Sequence, residues 1–190
     1  MWIIGGAVGF LVLLIWSRQK PDFPDGIQVH AFPVQYAVSE PTFRLNAWTV
    51  TPLARYDIEA IVLHTLRYRF GKFSEFSPLD VAMGWGPMSD GTILDPLGIT
   101  QGDRFFRWAR NDLLPHDEIN RHAANVHVIP SNKKTRRELF RLAAGDHVRI
   151  TGVLISAKSD DGYSVRSSLT REDTGAGACE ILWVDKVEHR

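Results

Sequence analysis

The sequence predicts a mainly β (α+β) protein: an N-terminal transmembrane helix, then a small curved β-barrel or sandwich with two or three short helices. The first observation is that residues 2–16 carry no charged and no strongly polar side chain. The second is that apolar and polar residues mostly alternate from Gln28 onward, which is the period of a half-buried strand. The third is that Pro and Gly interrupt these runs, as they do in turns between strands. We therefore divide the chain into an anchor at 1–17, a linker at 18–27 and a globular domain at 28–190.

The apolar segment from Trp2 to Trp16 is expected to be an uncleaved membrane anchor. At about 1.5 Å per residue it forms a helix of roughly 22 Å, and Arg18 and Lys20 can extend its reach to the lipid headgroups. A cleaved signal peptide is the alternative, but it normally carries basic residues before the apolar run, and this chain has none there. We expect a single-pass protein of the bacterial inner (plasma) membrane. The periplasmic side is slightly favoured for the domain, with the cytoplasmic side as the alternative.

Composition argues against several classes of function. Lys and Arg number 22, as do Asp and Glu, so no overall field attracts nucleic acid. The single cysteine excludes an internal disulfide and Cys-rich zinc motifs. No nucleotide-binding loop or compact metal motif is present, so we expect no cofactor and no metal. The expected partners are the membrane and a protein of the membrane or envelope.

The first half of the domain contains two predicted strands and one predicted loop. Residues 43–50 alternate, and we expect a strand that Pro52 ends. Residues 56–70 are the longest strand candidate, and their length predicts a bulge or bend near His64. Residues 79–95 are apolar but rich in Gly, Pro and Asp, so we expect an ordered loop with about one turn of helix.

The second half contains two predicted helices and several strands. One helix covers 115–124, and a second runs from a cap at Ser131 or Asn132 to Ala144, where Gly145 ends it. Predicted strands follow the same alternating pattern at 126–129, 148–157, 164–169 and 181–187, with a hairpin turn at 160–162. The segment 145–154 combines a turn, an alternating run and a glycine where a strand would bend. It resembles a strand of an OB-type barrel, which implies a fold that is OB-like in part.

Cys179 and His127 are the candidate catalytic pair. A cysteine becomes a strong nucleophile when a neighbouring histidine stabilises its thiolate. The order His127, Cys179, Arg190 in a membrane-anchored β-barrel resembles the layout of sortase-type transpeptidases. That resemblance implies the roles of base, nucleophile and oxyanion partner. The residues before Cys179 are Gly-Ala-Gly-Ala, which departs from the sortase Thr-Leu-x-Thr motif.

The loop that precedes Cys179 is a candidate binding loop. It is dense in polar and small residues, and Arg171 can pair bidentately with Glu172, Asp173 or Glu180. A long hairpin loop closed by salt bridges is the alternative interpretation.

Four more candidate binding residues lie elsewhere in the domain. Trp85 and Asp90 belong to the segment GWGPMSD at 84–90, and Trp85 either lines an aromatic groove or packs in the core. Lys133 and Arg137 crowd the start of a predicted helix, where a phosphate or lipid headgroup can bind, although a solvated basic turn is the commoner explanation of such a cluster. GWGPMSD and the segment SLTREDTG at 168–175 resemble a group of bacterial single-pass membrane-anchored proteins to which no activity is assigned.

The sequence therefore predicts a membrane-anchored, non-enzymatic binding or assembly protein of the bacterial cell envelope. This prediction rests on the lack of a compact catalytic motif. The alternative is a cysteine-dependent transpeptidase or hydrolase that uses Cys179 and His127. A metal hydrolase around His116, Glu118 and His122 is a third hypothesis, because Glu118 and His122 share one face of a helix.

Overall fold

A computed structural model describes residues 21–109, 112–170 and 179–190. The predicted anchor at residues 1–17 and the loop residues Arg171, Glu172 and Asp173 lie outside these ranges. Across the described ranges, no helix combines the length and the apolar character that crossing a bilayer requires.

Within the described residues the fold is mainly β with a few short helices, as predicted. The strands are β1 (Val34–Tyr36), β2 (Phe43–Leu45), β3 (Trp48–Arg67), β4 (Leu79–Gly84), β5 (Thr100–Gly102), β6 (Phe105–Arg107), β7 (Ala123–Pro130), β8 (His147–Ser159), β9 (Ser164–Arg166) and β10 (Glu180–His189). The helices are α1 (Lys72–Phe76), α2 (Gly91–Leu97), α3 (His116–His122) and α4 (Lys133–Leu139), with a 3₁₀ turn at Gly86–Ser89. Each helix is short and packs against the sheet or its loops.

The pairings of five strands close a ring. β3 pairs with β4, β4 with β7, β7 with β10, β10 with β8, and β8 with β3. The β7–β10 pair is parallel, whereas the other four pairs are antiparallel. All five strands contribute fully buried side chains to one aliphatic cluster, which includes Ile58, Val81, Val126, Ile150 and Leu182. This shared cluster is the core that holds the ring together.

β3 is longer than predicted and passes through Pro52. The prediction that Pro52 ends a strand is wrong, because the register against β8 shifts between Pro52 and Ala54. A β-bulge of this kind accommodates a proline, which has no N–H to donate to the ladder. The predicted bend near His64 is confirmed by a second register shift, between Val62 and His64.

The predicted loop at 79–95 is wrong, because its first part is the strand β4. All six residues of β4 are buried. Val81 and Met83 belong to the ring core, whereas Ala82 belongs to a separate cluster outside it. A strand covered on both faces shows no apolar–polar alternation, so periodicity could not reveal it. Asp90 then caps α2 by accepting hydrogen bonds from the N–H and hydroxyl of Thr92.

The described part of the predicted linker packs against the domain. The N–H of Gly91 donates to the carbonyl of Pro24 at 2.8 Å, and the N–H of Gly26 donates to Asp90 at 2.9 Å. A Cβ atom on Gly91 would lie 2.3 Å from the carbonyl oxygen of Phe23, so only glycine permits this approach. The segment from Phe23 to Gly26 is therefore part of the domain's packing.

Candidate active site

Three neighbouring strands bring together three chemically reactive side chains that are distant in the sequence. Asp80 on β4 lies directly opposite His127 on β7 in the antiparallel register. Ile181 on β10 lies opposite His127 in the parallel register, and Cys179 stands just before the first residue of β10. The closed ring of strands therefore fixes Asp80, His127 and Cys179 relative to one another.

Asp80 and His127 form a buried pair. Nδ1 of His127 donates to Oδ1 of Asp80 at 2.8 Å, and Asp80 is fully buried while His127 is 6 % exposed. This bond orients the imidazole and leaves Nε2 as the ring nitrogen that can act on another group. The ring of Phe73 packs edge-on against the imidazole at 5.6 Å between centroids, which further restricts its orientation.

Cys179 lines the same cavity as His127. Its thiol is partly exposed, and Sγ lies 3.8 Å from the carbonyl oxygen of Arg104. Burial lowers the pKa of His127, but hydrogen bonds with Asp80 and Cys179 outweigh this effect and raise the pKa to about 9. At neutral pH the imidazole is therefore positively charged.

Arg104 balances the buried charge of Asp80. One guanidinium nitrogen donates to Oδ1 of Asp80 at 2.7 Å, and another donates to the carbonyl of Ser77 at 3.0 Å. The guanidinium lies 3.6 Å from the ring centroid of Tyr68 and 4.7 Å from that of Phe73. A buried carboxylate requires such a partner, because an unpaired charge in the interior is strongly unfavourable.

The hairpin between β5 and β6 holds Arg104 in a strained conformation. Its two turn residues, Asp103 and Arg104, have φ values of 52° and 69°, as in a tight two-residue hairpin turn. The side-chain amide of Asn125 donates to the carbonyl of Arg104 at 2.8 Å, and the N–H of Arg104 donates to the hydroxyl of Tyr68 at 3.0 Å. Burial raises the pKa of Tyr68, so this hydroxyl stays neutral. Backbone strain that the surroundings hold in place is frequent at functional sites.

A cavity of about 270 Å³ opens directly in front of Cys179 and His127. Arg104, Phe73 and Tyr163 line it together with the catalytic candidates. The cavity gives a ligand access to Sγ while the imidazole stays almost completely buried. The arrangement suits nucleophilic catalysis, in which a base is oriented by a third group and contacts the nucleophile.

The structure does not bring Arg190 to Cys179. Arg190 follows the last residue of β10, whereas Cys179 precedes the first, and the strand between them spans roughly 33 Å at about 3.3 Å per residue. Nε of Arg190 lies 4.0 Å from Glu59, and its main-chain N–H donates to the carbonyl of His147. Among the described residues, the arginines that line the cavity with Cys179 are Arg104 and Arg166.

Trp85 and Asp90 support the fold rather than line the cavity. Trp85 is fully buried in the ring core, with its ring 6.3 Å from that of Phe32. Asp90 caps α2 and holds Gly26, as described above.

None of the remaining predicted binding residues that the structure describes lines the cavity. Lys133 and Arg137 are exposed on α4, which packs along β10 and β7. Glu180 is buried at the start of β10. Arg171, Glu172 and Asp173 belong to the part of the chain that the structure does not describe.

No group of three or more His, Cys, Asp or Glu side chains suited to hold a metal occurs in the described ranges. The imidazole of His122 lies 3.2 Å from Glu118, as their helical spacing predicts. This pair alone offers fewer ligands than a protein zinc site uses.

Comparison of the chain with protein-family models, curated proteins and solved structures gave no match.

Proposed function

We propose that this chain is a cysteine-dependent acyl-transfer enzyme, a hydrolase or transpeptidase. The observation that carries the proposal is the pairing of Asp80 with His127 on adjacent strands, with Cys179 just before the next strand and one open cavity that His127 and Cys179 both line. Cys179 is the nucleophile, His127 the acid and base, and Asp80 the group that orients the imidazole. Arg104 is a positioning residue, since its guanidinium pairs with Asp80.

The proposed reaction has two steps. Sγ of Cys179 attacks the carbonyl carbon of an acyl donor, and a C–S bond forms as the bond to the leaving group breaks. The leaving group takes the proton held by His127. Water or an amine then attacks the thioester, His127 accepts the proton of the attacking atom, and Sγ departs as the thiolate. Proton transfer by a positioned side chain contributes roughly 10²- to 10⁴-fold to such reactions.

We further propose that the ring of strands is an OB-type barrel, and its topology supports this. In chain order the ring strands β3, β4, β7, β8 and β10 pair as 1-2-3-5-4-1, with the third and fifth parallel. OB folds bind ligands on strands 2 and 3 and on the loops that join strands 1–2 and 4–5. Asp80 and His127 lie on strands 2 and 3, and Phe73 and Tyr163 lie on those two connections. The candidate site thus occupies the position at which this fold binds its ligands.

The sequence-based prediction of a non-enzymatic binding or assembly protein is the second proposal. The exposed aromatic side chains Phe70, Phe105 and Tyr163 near the cavity favour it. The two proposals share one site and differ in whether Cys179 forms a covalent bond with the ligand. Under either proposal we retain residues 1–17 as an anchor in the bacterial inner membrane.

The reactivity of Cys179 tests the enzymatic proposal, because this is the only cysteine of the chain. The rate of alkylation by iodoacetamide is measured at neutral pH for the wild type, for His127→Ala and for the urea-unfolded chain. We expect the folded wild type to react faster than the unfolded chain and His127→Ala to lose this advantage. His147→Ala is the matched control, since His147 pairs with Glu59 at the opposite end of β8 from the candidate site.

A folded thiol that reacts no faster than the unfolded one would overturn the proposal. The same holds if His127→Ala and His147→Ala leave the rate equally unchanged. Melting temperatures of both variants separate a loss of reactivity from a loss of fold.

A further inference from the structure

The cavity at Cys179 is part of a longer groove. It shares Phe73, Arg104 and Tyr163 with a second cavity of about 500 Å³. It also shares Val165 and Arg166 with a third cavity of about 530 Å³. Both neighbouring cavities offer further space to a ligand that reaches the thiol.

Besides the imidazole of His127, the described residues that line this groove include four Lys or Arg side chains and no carboxylate. The chain as a whole carries equal numbers of acidic and basic residues, so this local excess is not a consequence of composition. Two of the four charges are compensated, since Arg104 pairs with Asp80 and Lys72 pairs with Asp161. The other two belong to Lys158 and Arg166.

Arg166 is the uncompensated cation that lines the same cavity as Cys179. It is the last residue of β9, is exposed, and pairs in register with Ser156 of β8. Within the described residues its guanidinium has no hydrogen bond and no ion-pair partner. A guanidinium with free donors binds carboxylate or phosphate through two parallel hydrogen bonds.

Aromatic side chains line the second cavity, to which Arg166 does not contribute. Tyr68, Phe70 and Phe73 line the second cavity, and Phe70 is 90 % exposed. Such rings favour apolar portions of a ligand and impose no charge of their own. The second cavity is therefore mainly aromatic and holds only the compensated cations Lys72 and Arg104, whereas the uncompensated Lys158 and Arg166 line the third cavity.

We propose that Arg166 determines specificity by binding an anionic group, carboxylate or phosphate, on the substrate of Cys179. This inference rests on the proposed acyl-transfer function and adds the charge of the substrate to it. The apolar part of the substrate lies toward Phe73 and Phe70, and the anionic part lies toward β9.

Two alkylating reagents of different charge test the proposal. Iodoacetate carries a carboxylate and iodoacetamide is neutral, and both react by attack of Sγ on the methylene carbon with loss of iodide. We expect the ratio of the iodoacetate rate to the iodoacetamide rate to be higher in the folded chain than in the urea-unfolded chain. Arg166→Gln lowers this ratio by about three- to tenfold, as expected for loss of one nearby charge. Arg166→Lys keeps the charge and therefore retains most of the wild-type ratio.

Arg190→Gln is the matched control, because it removes the same charge at the far end of β10 and leaves the ratio unchanged. If glutarate protects Cys179 from iodoacetamide, the anionic group that Arg166 binds is a carboxylate. If inorganic phosphate protects it, the anionic group is a phosphate. Both kinds of protection are lost in Arg166→Gln. A ratio that Arg166→Gln does not change, or protection by neither anion, overturns the inference. Slow reaction with both reagents, no faster than in the unfolded chain, overturns the acyl-transfer proposal instead.

Discussion

Replacing Asp80 by asparagine removes the negative charge that pairs with both His127 and Arg104 but preserves the size of the side chain. Asp80 is fully buried, and the side chain of Arg104 is 20 % exposed, so the variant leaves a largely buried guanidinium without its anion. Removing one partner of a buried ion pair costs about 3–5 kcal/mol. We therefore expect Asp80→Asn to lower the free energy of unfolding by about 3 kcal/mol or more, measured by urea denaturation.

The same substitution changes the titration of His127. The pKa of His127 is raised from 6.5 to about 9, and the bond to Asp80 is a main cause of the rise. That difference corresponds to about 3 kcal/mol of preferential interaction with the charged imidazole. We expect the pKa of His127 to fall toward 6.5 in Asp80→Asn, as followed by NMR titration of its ring protons.

A surface pair provides the control for this prediction. Asp57→Asn breaks the pair with Arg149, whose side chain is 40 % exposed, and exposed pairs contribute about 1 kcal/mol or less. It leaves the titration of His127 unchanged. The reasoning is refuted if His127 titrates at the same pH in the wild type and in Asp80→Asn, or if the two Asp variants destabilise the fold equally.

Three further predictions concern pH, the N-terminal segment and the core. Because the pKa of His127 is raised to about 9, its protonation stabilises the fold below about pH 6.5, and that contribution disappears as the pH rises through 9. Urea unfolding is expected to show a larger loss of stability across this window in the wild type than in His127→Gln, and equal losses would contradict the assigned pKa. Gly91→Ala destabilises the fold by about 1–3 kcal/mol, because its Cβ meets the carbonyl of Phe23. The backbone amide at position 91 is expected to exchange its hydrogen faster in the variant. An unchanged exchange rate would argue against packing of the segment from Phe23 to Gly26 on the domain. Trp85→Phe lowers the free energy of unfolding by about 2 kcal/mol through a cavity in the ring core. Its alkylation rate at Cys179 stays at the wild-type value, and a large drop would place Trp85 in the site.

Local sequence patterns were sufficient to predict the helices and strands that have one buried face or clear capping residues. α3 lies within the predicted helix at 115–124, and Asn132 caps α4 by accepting from the N–H groups of Lys134 and Thr135. α4 ends at Leu139 rather than at the predicted Ala144, because the chain turns tightly between Phe140 and Gly145. The strand β10 extends the prediction at 181–187 by a few residues at its ends.

The sequence alone allowed us to predict only part of the candidate site. Cys179 and His127 stand out by residue type, but the acid of the site depends on which strands are neighbours. Asp80 was hidden because the all-buried strand β4 carries no alternating pattern. The one available signal was that Asp80 is a charged residue within an otherwise apolar run. A fully buried carboxylate requires a partner, so such a residue is a candidate for a functional site. Arg104 could not be predicted either, because it lies in the turn of a short hairpin that is distant in the sequence from the other site residues.

The prediction that Arg190 acts together with Cys179 is wrong, because the number of residues between two positions does not determine their distance in a sheet. A strand separates its two ends by roughly 3.3 Å for every residue, so residues at opposite ends of β10 do not share a site. Residues directly opposite on adjacent strands, such as Asp80 and His127, do share one.

Formation of a thioester on Cys179 is the most direct test of the account. The purified chain is incubated with p-nitrophenyl acetate, and its intact mass is recorded over time with and without neutral hydroxylamine, which cleaves thioesters. We predict that the folded wild type gains one acetyl group that hydroxylamine removes, that His127→Ala gains it far more slowly, and that Cys179→Ala gains none while keeping its melting temperature. Equal acetylation of the wild type and Cys179→Ala, or acetylation no faster than in the unfolded chain, would contradict the assignment of Cys179 as the nucleophile.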